Sequence, residues 1–155
     1  MKASFKKGLG FGITSGVITT LGLIVGLNAG TSNRSIVISG ILIMAIADSL
    51  SDSLGIHVSE EANKVLTQRQ VWEATGAALL SKVVIAGSFM IPVLLIPLST
   101  AIAVCITWGL VLVIGFSWYI AKTRNEKPFW IIAEHVVISV LVVLATDRVG
   151  TWLHT

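Results

Sequence analysis

Five long apolar runs constrain this chain more than any other feature. They cover roughly Leu9–Ala29, Ile36–His57, Ala74–Leu98, Thr100–Ala121 and Phe129–Trp152, with short connectors between them. The hydrocarbon layer of a bilayer is about 30 Å thick and takes about 20 mostly apolar helical residues to cross. Lipid offers the backbone no hydrogen-bond partner, so a spanning segment must be a helix or a strand of a closed barrel. Barrel strands are short and alternate in polarity, and these runs do neither. The expected fold is therefore all-α, with five transmembrane helices in a single domain over residues 1–155. Only the connector Ser59–Glu73 is long enough for structure of its own.

Composition agrees with that reading. The chain is 54% hydrophobic and 12% charged, with mean hydropathy +0.89, a balance found in membrane proteins. Its net charge of +3 is modest, and the basic residues fall between the apolar runs rather than on an aromatic-plus-basic surface. That pattern implies membrane lipid as a partner and excludes a nucleic-acid-binding face. Cys105 is the only cysteine, so neither an intrachain disulfide nor a thiolate metal cluster can form. The N-terminal MKASFKKGLG resembles the basic start of a signal peptide. The long Gly-rich run after it, and the further runs beyond, favour a first transmembrane helix instead.

Basic residues also set the expected orientation. Lys2, Lys6, Lys7, Lys64, Arg69, Lys122, Arg124 and Lys127 fall on one side, and only Arg34 and Arg148 on the other. This asymmetry predicts a cytoplasmic N-terminus and an outside or lumenal C-terminus. Trp130 and Trp152 bracket the fifth helix at about 33 Å, a spacing suited to interface anchors. In the first helix Gly12/Gly16 and Gly22/Gly26/Gly30 recur every four residues, giving grooves for a helix of the same chain or of a second copy. Pro92 and Pro97 bend or end the third helix, and Pro97 opens the turn that follows.

Against this background the stretch MAIADSLSDSLGIHVSEE, starting at Met44, stands out. Asp48 and Asp52 are four apart, on one helical face, with Asp48 near the middle of the membrane. An ionised carboxylate there costs at least about 2.5–3.5 kcal/mol, and such residues usually face a bundle interior and mark an ion or proton path. The competing reading is structural, with each Asp bonded to a neighbouring helix. Glu134 sits about one turn inside the fifth helix, and Lys82 enters the third from the same side. With Asp52 they are expected to share one layer, with Lys82 either a counter-ion that holds the site shut or a side chain that snorkels to the surface. Glu60, Glu61 and Glu73 end the cytoplasmic connector and form either a cation-attracting entrance or a solvated face. Carboxylates and hydroxyls suit a hard or borderline divalent cation such as Mn²⁺ or Fe²⁺, and the same carboxylates can carry protons. No Ser/His or Cys/His pairing and no zincin motif points to an enzyme, and no prosthetic group is expected.

The Gly-rich opening SGVITTLGLIVGLNAG, the short outer turn, the run IADSLSDSLGIHVSEE and the late IPVLLIPLSTAI together resemble the vacuolar iron transporter family of Fe²⁺/Mn²⁺ carriers. The resemblance covers nearly the whole chain and is strongest from Gly12 to Asn63. It implies a homodimer whose path is lined by the first two helices of each subunit, and export of metal from the cytoplasm in exchange for protons. The cell membrane or a vacuole-type membrane is the implied location. This chain departs from the pattern at three positions: Ser15 stands where an acid is usual, Met44 where Glu is usual, and Asp52 where Met is usual. The connector Ser59–Glu73 is also too short for the Glu/Met-rich cytoplasmic domain of plant-type members. On this reading Asp48 and Asp52 are the prime metal ligands, Glu134 is a proton or metal site, and Ser15 and Met44 add weaker contacts. The alternative is a non-transporting membrane scaffold or partner subunit with structural aspartates.

Overall fold

A computed structural model describes residues 3–154 and consists of five helices joined by turns. They are α1 (Ala3–Thr31), α2 (Arg34–Glu61), α3 (Gln68–Leu95), α4 (Leu98–Arg124) and α5 (Pro128–His154). All five are long and apolar enough to cross a membrane, and no strand occurs among the described residues. This is the architecture of a multi-pass integral membrane protein. Lys2, counted above with the basic residues of one side, lies outside the described residues.

Four helices outrun their apolar stretches at both ends, where polar residues carry them past the region that lipid would cover. Helix α3 instead stops at Leu95, three residues short of the expected Leu98, because Pro97 ends it and Leu98 already belongs to α4. Asn33 caps α2, its Oδ1 accepting from the Ser35 and Ile36 amides at 2.9 and 3.2 Å. Thr67 and Gln70 form a reciprocal capping box at the start of α3. That box starts α3 six residues before the apolar run at Ala74 and reduces the connector to residues 62–67. Pro92 lies inside α3, whereas Pro97 occupies the N-cap position of α4, since its fixed φ suits a helix start. Asn125 ends α4 in the left-handed conformation, φ 57°.

Helix α1 is the hub and touches the other four, while α2 packs on α1 and α3, and α5 on α1 and α4. Its glycines account for this. A Cβ built on Gly8 would lie 2.0 Å from the Ala74 carbonyl oxygen, and one on Gly12 would lie 2.0 Å from Ser81 Oγ. Gly22, Gly26 and Gly30 instead face Val142, Thr146 and Gly150 of α5. The four-residue spacing therefore serves packing within the chain, against α3 in one half of the helix and α5 in the other. Val17, Leu21 and Ile24 of α1 fill the centre with Val37, Ile41, Phe89 and Val93. Leu42, Ile43, Ile46 and Leu50 of α2 point outward, as a lipid-facing surface requires.

Candidate cation site

Asp48 lies at the middle of α2, about 20 Å along the helix from either end, and Lys82 holds the equivalent position in α3. Helices α2 and α3 pack directly on one another, with α1 against both, and this brings the midpoints together. Lys82 is only 2% exposed, and its ammonium pairs with Asp52 and, at 2.5 Å, with Asp48. It also donates to Ser15 Oγ at 3.1 Å. An ammonium has three N–H donors, so all of them are satisfied without water. Ser15 Oγ donates in turn to Asp52 Oδ2 at 2.7 Å. Thr19 Oγ1 lies 3.1 Å from Asp48 Oδ2 and 2.8 Å from the Ser15 carbonyl oxygen, so its single proton serves both.

The α1–α2 contact has one antiparallel register. Ser15 and Thr19, four apart in α1, meet Asp52 and Asp48, four apart in α2. The sequence pointed to Ser15, Asp48, Asp52 and Lys82 as site residues but not to Thr19. Matching its four-residue offset from Ser15 to that of the two acids was the signal available.

The carboxylates are less enclosed than the lysine, Asp48 keeping 29% and Asp52 25% of their side-chain surface. Both turn Oδ2 to the ammonium, and no hydrogen bond among the described residues uses either Oδ1. A groove of about 610 Å³ runs between α1 and α2 from Asn33 and Ser35, past Ser39 and Met44, to Asp48. Met44 precedes Asp48 by one helical turn and lines the same groove. A second groove of about 630 Å³ lies between α1 and α5 and shares Leu23, Leu27 and Met44 with the first. Ser49, next to Asp48, is buried, and its hydroxyl has no partner among the described residues.

Glu134 stands apart from this cluster. It is exposed on α5, which packs on α1 and α4, and it makes no ion pair or hydrogen bond among the described residues. The expected layer of Asp52, Lys82 and Glu134 does not assemble. Lys82 is at the middle of α3 whereas Glu134 is only six residues into α5, and α5 packs on α1 and α4. The neighbouring His135 instead meets Ser117 of α4 through Nδ1 at 2.7 Å.

The three connector glutamates do not converge either. Glu60 is turned into the bundle and paired with Lys7 of α1, its side chain 4% exposed. Glu61 lies 3.9 Å from His57 Nε2, and Glu73 pairs with Arg69 at 3.1 Å. The Lys7–Glu60 contact keeps the α1–α2 register, two turns beyond Ser15–Asp52.

As a metal ligand set, the described residues hold no group of three or more Asp, Glu, His or Cys side chains. One chain offers two carboxylates, two hydroxyls and the nearby Met44 thioether, an oxygen-rich set suited to Mn²⁺ or Fe²⁺ rather than Cu(I) or structural Zn²⁺. No family model, curated protein or solved structure matches the chain.

Proposed function

We propose that this protein is a divalent-cation transporter that carries Fe²⁺ or Mn²⁺ out of the cytoplasm in exchange for protons. The observation that carries the reading is the pair Asp48 and Asp52, held at mid-helix against an internal cation, with an unused oxygen on each carboxylate and a groove leading to Asp48. Intramembrane carboxylates facing a bundle interior are the usual markers of an ion path. The resemblance of the second helix and the Gly-rich first helix to the Fe²⁺/Mn²⁺ carriers supports the same class. The distribution of basic residues supports a cytoplasmic N-terminus by the positive-inside rule.

The transporter acts as a homodimer joined through the α1–α2 face. Asp48 reaches a laterally open groove whose apolar lining includes Leu23, Leu27, Ile36, Ile43 and Ala47, where lipid would otherwise lie against a carboxylate. A second copy over that face shields it and doubles the carboxylates available to one ion. The metal is cargo, taken between the two aspartates with Ser15, Thr19 and Met44 as weaker contacts. Glu134 lies outside this set and remains available to carry a proton.

A second reading has its own observation. Lys82, Ser15 and Thr19 hold Oδ2 of both aspartates within one chain, which is what a structural staple in a scaffold subunit would need.

Metal uptake by proteoliposomes separates the two. Fe²⁺ and Mn²⁺ are tested with and without a pH gradient, comparing the natural chain with Asp48→Asn/Asp52→Asn. Gradient-driven uptake lost in the variant is the expected result. Absence of uptake by a well-folded natural chain overturns the transporter reading in favour of the scaffold.

A further inference from the structure

We infer that Lys82 is a tethered rival cation that makes this site select divalent over monovalent ions. The inference rests on the cation-site reading above and assigns a specificity to it. A lysine that merely snorkelled would send its ammonium toward a helix end. Here the ammonium is buried at the middle of α3 and contacts both aspartates and Ser15. It occupies the place that an ion bridging the two carboxylates would need, so any such ion must displace it.

Displacement treats the two classes of ion differently. Two carboxylates and one ammonium carry a formal charge of −1. A monovalent ion that takes the ammonium's place exchanges one positive charge for another and gains nothing electrostatically. It also competes against a group held on its own side chain, whose effective concentration is at least millimolar. A divalent ion brings twice the charge to the same carboxylates, and the low dielectric of a bundle interior magnifies that difference. The hydroxyls of Ser15 and Thr19 do not oppose the exchange, because each can turn a lone pair toward the incoming ion.

The test is Mn²⁺ binding to the purified protein in lipid nanodiscs by equilibrium dialysis, with Na⁺ as competitor. The natural chain is compared with Lys82→Met, Lys82→Gln and Lys82→Arg, each checked for monodispersity. The expected result is Mn²⁺ binding at least about tenfold tighter in the Met and Gln variants, with Na⁺ now displacing the metal. Lys82→Arg is expected to keep the selectivity of the natural chain. Should the neutral variants fail to fold, the natural chain still decides: Mn²⁺ displaced by millimolar Na⁺ overturns the inference. So does Mn²⁺ binding to the natural chain that is unchanged or weaker in both neutral variants, and that result leaves the transporter reading standing. No Mn²⁺ binding by any form overturns both.

Discussion

Lys82 with Asp48 and Asp52, and Lys7 with Glu60, are two lysine–carboxylate contacts about 12 Å apart along the same α1–α2 seam, yet their burial is reversed. In the mid-helix contact the lysine is 2% exposed and the acids keep 29% and 25%. In the end contact the acid is 4% exposed and the lysine 61%. At the helix end the exposed Lys7 can be solvated when its mate is removed, whereas at mid-helix the aspartates border a mostly apolar groove and the enclosed Lys82 reaches almost no solvent. Which group is enclosed therefore decides what each contact can do. At mid-helix the carboxylates are reachable from the groove, and the enclosed cation is the group that an incoming bridging ion must displace. At the helix end the enclosed Glu60 already has its counter-charge, which makes it a poor first contact for a metal.

The largest effect should come from stranding Lys82. Asp48→Ala with Asp52→Ala leaves a buried ammonium without a counter-charge, at a cost of about 3–5 kcal/mol in stability. Lys82→Met alone leaves two acids that keep the Ser15 and Thr19 hydroxyls as donors and should cost less. Combining all three substitutions removes the stranded charge, so the triple variant should recover most of the stability and none of the metal flux. Denaturation of the purified variants in detergent, read beside uptake, checks both halves. If Lys82→Met proved the more damaging change, burial would not be what distinguishes the two contacts.

The order of damage should reverse at the other contact. Lys7→Met strands Glu60 and should cost about 1–2 kcal/mol, reduced from the fully buried case because Lys7 is largely solvated. Glu60→Gln leaves Lys7 free to enter water and should cost less than about 1 kcal/mol. The same denaturation measurement reads the pair. Equal losses from the two substitutions would mean that Glu60 gains little from its lysine, and the mirror relation would fail.

Much of this arrangement was legible in the sequence, and the boundary of what was legible is physical. Five helices follow from apolar run length, because lipid leaves a spanning backbone few alternatives. That Asp48 and Asp52 share a face follows from helical periodicity alone. The extra turns at the start of α3 were missed because an apolar run does not mark a polar helix end. The Thr67–Gln70 spacing did mark it. Which helix meets which was not readable, since α1 carries small or apolar residues on all sides and touches every other helix. Its glycines advertised close approach without naming α3 for one half and α5 for the other. The apolar runs match Lys82 and Glu134 in depth, but because α3 starts six residues early Lys82 is at mid-helix while Glu134 is only six residues into α5.

Glu134 therefore supplies the smallest expected effect and a direct check on where the site ends. It is exposed on α5 and touches neither lysine contact. Glu134→Gln should leave Mn²⁺ affinity and protein stability within error of the natural chain, because no ligand and no buried charge is lost. Binding in nanodiscs is the first measurement, and uptake with and without a pH gradient is the second. Unchanged values in both would confine the working site to the α1–α2–α3 seam. Weakened Mn²⁺ binding would instead extend the ligand set to α5, either across the second groove or from a second copy of the chain. Unchanged binding with loss of the gradient's effect would divide the labour between two regions, with metal held on the seam and protons carried on α5. In that case the mid-helix contact alone would no longer explain exchange, and Glu134 would join it as a separate proton site.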